Sequence, residues 1–409
     1  MVKNDVKKIV SVFTGGTGGH VFPALSLIEE LVERGYFVHI FVDKRRGFGL
    51  LSNNLNSVLL DRVKIHVLRI DNVRGNKFIG FCRQFFDLCY DIAYCCFCLL
   101  KYKIRLNICF GGFFSVPGVV ASFLCFRKLI LQEQNAVIST VNKFGLLFAN
   151  YCCLGFENTM GIFKITKDKC LYTGNPIRSK VLNLHYQNDN SAIRYVPFFK
   201  VYDRINLLIT GGSQGSGVFV DVIVEMLKFL PPQVKDKLYV YHQCRVVDVE
   251  VLNEHYKDLG VKHEVKVFFD NMSEIMASCH MMISRSGYTV SEISVLGVPS
   301  ILVPMKNAKN NHQYYNAKYM RDNGAAIMIE ESNFNAQNLC NILCSFTLKD
   351  YLLSEMSSNA KNIAVVDASK KVAYVVDFLL GFNENLNVSS SFKRHFDEIR
   401  TIKDNVGLG

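Results

Sequence analysis

The sequence predicts an α/β protein made of two parallel-sheet domains. Three observations carry that expectation. The chain opens with a strand, glycine loop, helix, strand succession; the same succession restarts near residue 206; and 409 residues exceed what one hydrophobic core usually supports.

The first unit begins at residues 8–14 (KIVSVFT), a short apolar run that ends on Gly15 and Gly16. The next segment, VFPALSLIEELVERGY, places Ala24, Leu27, Ile28 and Leu31 at helical spacing and stops near Gly35. Phe37 to Val42 is again a strand candidate, which completes the opening of a parallel α/β domain. Further units follow: a strand at Leu106 to Phe110, the pair Gly111 and Gly112, a helix at Pro117 to Cys125 and a strand at Lys128 to Leu131. Residues 183–203 lose periodicity around a polar cluster and read as an irregular connector. The grammar then restarts with a strand at Asn206 to Thr210, a loop at Gly211 to Gly217 and a helix at Val218 to Leu230. Strands at Leu238 to Tyr241, Val265 to Phe269, Met281 to Ser284 and Ser300 to Pro304 alternate with helical segments. No sequence repeat points to a solenoid.

Composition narrows the function classes without choosing one. Hydrophobic residues make up 49% and charged residues 20%, which excludes a disordered chain. The net charge of +11 suits polyphosphates, nucleic acid or an anionic membrane face alike. The basic residues are dispersed, however, so specific nucleic-acid binding is not expected. Of 14 cysteines, seven lie between Cys82 and Cys125 in apolar sequence, where they read as small hydrophobes and reduced thiols. The N-terminus lacks the long apolar core of an export signal. Phe78 to Leu100 is the most membrane-like stretch, but Arg83, Asp87 and Asp91 interrupt it, and charges near its middle argue against a span.

Two loops carry chemistry. TGGTGGH, Thr14 to His20, and TGGSQGSG, Thr210 to Gly217, each stand between a strand and a helix. Such loops let backbone approach phosphate or sugar oxygens, while the helix N-terminus offers unpaired N–H groups. Neither is a Walker A loop, since the Lys followed by Ser or Thr is missing, and the first reads GGTGGH, not GxGxxG. A nucleoside diphosphate suits the pair better than ATP hydrolysis, although a purely structural tight turn is the other reading of each loop.

With GGTGGHVFPAL at Gly15 to Leu25, GGFFSVPG at Gly111 to Gly118, EQNAV at Glu133 to Val137, GNPIR at Gly174 to Arg178 and GGSQGS at Gly211 to Ser216, the chain resembles the MurG family. SRSGYTVSE at Ser284 to Glu292, GVPSILVP at Gly297 to Pro304 and NNHQYYNA at Asn310 to Ala317 continue the resemblance in family order. Those enzymes transfer N-acetylglucosamine (GlcNAc) from UDP-GlcNAc to lipid-linked N-acetylmuramoyl (MurNAc)-pentapeptide. The resemblance implies a GT-B fold, two Rossmann-like domains facing across a cleft. It implies an acceptor and membrane-facing domain at 1–180, a connector at 181–203 and a UDP-sugar domain at 204–365. A return helix at 366–384 and an extension at 385–409 complete the expected plan.

The resemblance also assigns residues. Glu292 is expected on the ribose hydroxyls, against its plain reading as a solvated helix carboxylate. Arg178 and Ser213 are expected at the donor diphosphate, and Gln313 at the donor sugar, with His312 beside it. Asn135 matches a sugar-contact asparagine, whereas Glu133 reads as a brace for its loop. Phe269 stands where the family offers a backbone contact to uracil, with a core aromatic as the equal alternative. Thr17, Gly18 and Gly19 complete the donor-contact set. His20 is the candidate general base, or else fixes the loop or binds acceptor pyrophosphate. No DxD-spaced acid pair marks a bound metal, and no cofactor is expected, UDP-GlcNAc being a substrate.

Arg69, Arg74, Lys77 and Arg83 around Phe78, Ile79, Phe81, Phe85 and Phe86 are implied to face an anionic membrane, on the cytoplasmic side of a bacterial inner membrane. A buried helix or a partner-protein surface reads similarly, and wall-synthesis proteins are implied as further partners. Three departures stand out: Gln132 in place of a common His, Ile138 and Ser139 in place of a glycine-containing turn, and an SRSGYTVSE segment one residue short. The alternatives are a related transferase using another UDP-sugar or lipid acceptor, the more distant UDP-GlcNAc 2-epimerase class, and a noncatalytic wall-assembly scaffold.

Overall fold

The computed structural model describes residues 8–44, 46–52, 57–70, 77–188, 204–212, 217–348, 351–382, 390–394 and 396–398. By compactness the chain forms two units, Met1–Arg178 with Val365–Gly409, and Ser179–Ala364.

Seven parallel strands make the first unit's sheet: β1 (Ile9–Thr14), β2 (Phe37–Asp43), β3 (Val63–Leu68), β4 (Leu106–Cys109), β5 (Lys128–Glu133), β6 (Tyr151–Leu154) and β7 (Cys170–Tyr172). Their order is β3-β2-β1-β4-β5-β6-β7. Strand side chains alternate between faces, and two core clusters follow that parity. Val10, Val12, Val38, Ile40, Leu106 and Ile108 pack with the helices Gly18–Glu33 and Ala368–Leu380, whereas Phe13, Phe41, Cys109 and Leu131 pack in the other cluster. Helices cover both faces, which is why these strands read as apolar runs.

The helix Ala368–Leu380 lies against Gly18–Glu33, and residues beyond it add to the same core. Phe392 and Phe396 are buried beside Tyr374, and Phe396 also meets Phe378 and Tyr151. Part of the C-terminal extension therefore packs as core, through aromatic residues whose periodicity was too short to announce a helix.

The stretch that resembled a membrane segment is the helix Lys77–Lys101. Among the described residues, no helix is long and apolar enough to cross a membrane. One face of this helix enters the core through Cys95, Cys98 and Leu99. The buried Asp91 carboxylate accepts the backbone N–H groups of Arg69 and Ile70 (3.0 and 2.8 Å), fixing the chain as it leaves β3. Phe81, Phe85, Phe86, Tyr90 and Phe97 stay exposed on the helix.

A histidine pair joins this helix to the sheet. His39 Nδ1 meets His66 Nε2 at 2.9 Å, and His66 Nδ1 meets the Tyr94 hydroxyl at 2.9 Å. Burial lowers both imidazoles from 6.5 to about 4, helped at His39 by His66 and at both by Lys64. Between those values the unfolded chain binds more protons than the folded one, so the stability is complete above pH 6.5 and is lost as pH falls toward 4. His242, lowered to about 3, and His280, lowered to about 4, act in the same direction in the second unit. Urea midpoints should therefore fall between about pH 7 and about pH 5, and replacing His39 and His66 together by Gln should flatten that dependence. A midpoint slope unchanged by the double replacement would show that the pair does not carry it.

The second unit has a parallel sheet of β8 (Ile205–Thr210), β9 (Leu238–Gln243), β10 (Lys262–Lys266), β11 (Met281–Ser284), β12 (Ser300–Leu302) and β13 (Ile327–Met328). Their order is β10-β9-β8-β11-β12-β13. Two expectations shift here. Asn183 to Asn188, read as irregular connector, belong to the helix Ser179–Asn188, which packs on the helices Met272–Ser278 and Thr289–Leu296. The strand expected at Val265 to Phe269 lies instead at Lys262–Lys266. As the edge strand, β10 tolerates the polar KHEVK sequence, while Val267 and Phe268 are exposed beyond its end. All fourteen cysteines are free thiols, and burial raises several of them, Cys279 to about 12.

Candidate active site

In the first unit the strand order reverses about β1 and β4, and crevices outside the carboxyl ends of strands at such a point are where α/β sheets bind ligands. The residues leaving β1, β4 and β5 converge there: the Thr14–His20 loop, Gly111–Gly112 and Gln134–Asn135.

Close packing shapes the first loop. Gly16 has φ +79°, and a Cβ on it would stand 2.8 Å from the Phe114 ring. Its N–H donates to Asp43 Oδ1 (2.6 Å), and the same carboxylate accepts from Gly47 N (3.2 Å). Asp43 ends β2, where dinucleotide-binding folds place a ribose-binding acid. Here that acid holds the glycine loop instead. Thr17 is the exposed N-cap of the helix Gly18–Glu33, and its carbonyl receives His20 N and Val21 N (both 3.1 Å). Gly18 and Gly19 form the helix's first turn, whose N–H groups have no intrahelical acceptor and favour anions. Pro23, within the same helix, lacks the N–H that would otherwise reach back to Gly19.

The setting of His20 fixes its tautomer. Gln134 Nε2 donates to the Gln132 carbonyl (3.2 Å), which turns Gln134 Oε1 toward His20 Nδ1 (3.1 Å). A carboxamide oxygen only accepts, so Nδ1 carries the proton and the neutral ring keeps its lone pair on Nε2. The Nε2 edge lies beside Gly112, φ +71°, where an added Cβ would stand 3.3 Å away. Gln134 was not singled out from the sequence, although it lies inside the EQN motif.

Glu133 is buried and braces this loop. Its Oε1 accepts Asn135 N and Nδ2 (3.1 and 3.0 Å), and its Oε2 accepts Ser139 N and Asn142 Nδ2 (2.8 and 3.0 Å). Asn135 is thereby held half-buried at the carboxyl end of β5. Ser139, the departure from a glycine turn, is the N-cap of the helix Thr140–Gly145 with ordinary extended backbone. Arg178 is half-buried, its guanidinium 4.9 Å from the centre of the Phe22 ring on the helix that carries His20.

In the second unit the strand order reverses about β8 and β11. The loop after β8 is described only through Gly212, so Ser213 lies outside the described residues. Gly212 N donates to Thr210 Oγ1 (3.1 Å). Glu292 sits in the first turn of the helix Thr289–Leu296 and is 4% exposed, so it is not the solvated carboxylate of the plain reading. Phe269 is 1% exposed and its ring meets Tyr241 edge-on at 6.2 Å. Its side chain is core, which leaves only its backbone to meet a ligand.

Gln313 is the second residue of the helix His312–Asp322, which follows two consecutive left-handed residues, Asn310 (φ 54°) and Asn311 (φ 52°). Asn tolerates that region better than most residues, yet two in succession store strain of the kind that gathers at functional sites. Gln313 Oε1 accepts Met305 N (3.0 Å), and its backbone carbonyl accepts Ser286 Oγ (2.7 Å). The buried Asn316 Nδ2 in turn donates to the Ser286 carbonyl (3.0 Å). The amide oxygen thus accepts one bond within the protein, which sets the carboxamide's orientation while its second lone pair and its NH₂ group are not used by that bond. His312 turns back on the preceding loop, its Nδ1 meeting the Lys309 carbonyl at 2.9 Å. Among the described residues, no group of three or more His, Cys, Asp or Glu side chains is arranged to hold a metal ion.

Comparison with known proteins agrees in both halves. Residues 10–152 match the glycosyltransferase family 28 N-terminal domain, and residues 206–372 match the family 28 C-terminal domain. A protein of Wolbachia sp. subsp. Brugia malayi is 32% identical over 370 residues, covering 90% of this chain and 98% of the relative. One from Rickettsia canadensis is 31% identical, covering 87% and 94%. Both are named UDP-N-acetylglucosamine--N-acetylmuramyl-(pentapeptide) pyrophosphoryl-undecaprenol N-acetylglucosamine transferase. The crystal structure of Acinetobacter baumannii MurG superposes with a TM-score of 0.69 at 25% identity, covering 91% of this chain and 99% of that one. A UDP-GlcNAc 2-epimerase from Neisseria meningitidis shares the fold alone, with a TM-score of 0.62 at 15% identity and coverage of 91% and 99%. The fold is of the GT-B class, and the chain belongs to glycosyltransferase family 28 and, within it, to the MurG family.

Proposed function

We infer that the protein transfers GlcNAc from UDP-GlcNAc to the C4 hydroxyl of lipid-linked MurNAc-pentapeptide, releasing UDP and inverting the anomeric centre from α to β. The observation that carries this reading is the likeness, along 90% of the chain, to a relative named for that transfer. The transfer needs a base for the attacking hydroxyl and groups that stabilise the departing diphosphate. His20 is proposed as the base, and the Nδ1–H tautomer set by Gln134 supports that role because it leaves Nε2 able to take a proton.

Arg178 is proposed for the diphosphate, where a guanidinium can form paired bonds. The Thr17–Gly19 turn and Ser213 are proposed as further donor contacts. Glu292 takes the ribose diol, the Phe269 backbone the uracil, and Gln313 and Asn135 the sugars. Purified enzyme given UDP-GlcNAc and the lipid-linked acceptor should form UDP and the disaccharide product, each dependent on the acceptor and followed by mass. Donor binding without product under membrane-like conditions would turn the reading toward another acceptor or a scaffold.

Membrane association at the cytoplasmic face is proposed through the helix Lys77–Lys101. Its exposed Phe81, Phe85 and Phe86, with the exposed Arg83, are the residues that support it. Arg69 stacks on Tyr90 with its guanidinium 3.5 Å from the ring centre, which keeps a cation beside the aromatic row. Arg74 lies outside the described residues, as do the side chains of Lys77, Phe78 and Ile79. Replacing Phe81, Phe85 and Phe86 by Ser should weaken cosedimentation with anionic vesicles by at least about 10-fold, since each inserted ring contributes roughly 1.5–3 kcal/mol. Unchanged cosedimentation would reject this face as the membrane contact.

A further inference from the structure

We propose that the Arg285–Glu331 ion pair is a positioning device that holds Gln313 as a hydrogen-bond donor toward the transferred sugar, and thereby sets which UDP-sugar is used. The proposal rests on the reading of Gln313 as the donor-sugar residue and adds the cause of its orientation.

The segment after β12, Val303 to Lys306, is held at three points. Arg285 Nη1 donates to the Val303 carbonyl (3.1 Å), Met305 N donates to Gln313 Oε1 (3.0 Å), and Lys306 N donates to Glu331 Oε2 (3.2 Å). The same Glu331 oxygen pairs with Arg285 Nη1 at 2.7 Å. Arg285 is itself buried, its guanidinium 5.1 Å from the centre of the Phe219 ring, so solvent does little to compensate its charge. Glu331 lies 46 residues away along the chain and closes the arrangement from beyond β13.

The consequence falls on Gln313. Its amide oxygen faces Met305 N, so its NH₂ group is the end turned away from that contact. An NH₂ group reads lone pairs on a sugar hydroxyl, whereas a flipped amide would read hydroxyl protons. The placement of Met305 N favours the first state, and the clamp holds the chain on either side of Met305, at Val303 and Lys306. An epimer whose hydroxyl points elsewhere leaves that NH₂ group unpaired, which is how a fixed polar group rejects an isomer.

The test is a double-mutant cycle on the full-length enzyme with UDP-GlcNAc and its C4 epimer UDP-GalNAc. Glu331→Ala should raise KM for UDP-GlcNAc by about 10-fold and narrow the preference over UDP-GalNAc, with kcat less affected. UDP affinity, measured by calorimetry, should stay within about twofold, because a clamp that acts through Gln313 alters only the sugar contact. Glu331→Gln, which keeps an acceptor for Lys306 N, should restore part of the loss. In a Gln313→Ala background, Glu331→Ala should add less than about twofold, since a pair that acts through Gln313 has nothing left to position.

An unchanged KM and preference in Glu331→Ala would overturn the proposal, as would effects that simply multiply with those of Gln313→Ala. If Gln313→Ala alone changed neither quantity, the donor-sugar reading of Gln313 would fall and the proposal with it. Loss in Gln313→Ala but not in Glu331→Ala would overturn the clamp alone. Should Glu331→Ala fail to fold by thermal melt, the same cycle is read on Glu331→Gln.

Discussion

With both substrates saturating, His20→Ala is expected to turn over about 10²–10⁴-fold more slowly, with little change in KM for UDP-GlcNAc. The attacking hydroxyl is a poor nucleophile until its proton is taken, the step for which the His20 imidazole is proposed. Gln134 gives the expectation its physical content. Because its own NH₂ is held by the Gln132 carbonyl, it can only accept from His20, which keeps the basic nitrogen on the Nε2 side. Gln134→Ala should therefore slow turnover in the same direction but less, since the correct tautomer would still form part of the time. Ala is well tolerated in a helix, and the His20 side chain is not among the buried core, so the melting temperature should hold. Initial rates at saturating donor and acceptor decide the matter. Normal turnover in His20→Ala would take the base role from His20 and leave it a loop-fixing or pyrophosphate-binding residue.

Asp377→Ala is expected to destabilise the first unit by about 3–5 kcal/mol, lowering its melting temperature by roughly 2–4 °C per kcal/mol. Asp377 is 1% exposed on the helix Ala368–Leu380. It pairs with Arg34 Nη1 (2.8 Å) and accepts the Tyr36 hydroxyl (2.5 Å), both beyond the end of the helix Gly18–Glu33. The substitution removes the acceptor of a buried hydroxyl and one partner of a guanidinium that keeps Glu30 at 2.6 Å. Breaking a buried pair from one side costs more than the pair is worth, because the remaining charge keeps its desolvation penalty. Differential scanning calorimetry would read the shift. A loss below about 1 kcal/mol would mean that apolar packing through Val372, Val375 and Val376 holds this helix without the ion pair.

The architecture was legible because parallel strands buried on both faces leave continuous apolar runs. Met281–Ser284 is read from sequence at the residues it occupies, and β1 and β8 at nearly so, each followed by the glycine loop the fold needs. The first helix ends where Gly35 takes φ +81°, a stop visible in the letters. Where periodicity was weak, reading drifted. The edge strand Lys262–Lys266 is mostly polar, so the apolar residues just after it drew the expectation three positions too far. Ser179–Asn188 has too few apolar residues to show a face, and packing against Met272–Ser278 decides its helix.

The site divides in the same way. The letters alone showed the two glycine-rich segments, the EQN and HQ segments and the family they mark, since such motifs are local strings. Only tertiary structure decided how those groups are held. Asp43 grips Gly16, Gln134 orients His20, Asp377 ties Tyr36, and Glu331 meets Arg285, across separations of 27, 114, 341 and 46 residues. Hydrogen-bond direction and charge compensation depend on distances of a few tenths of an ångström between such partners, and no local pattern of letters encodes a distance that the folded chain alone creates.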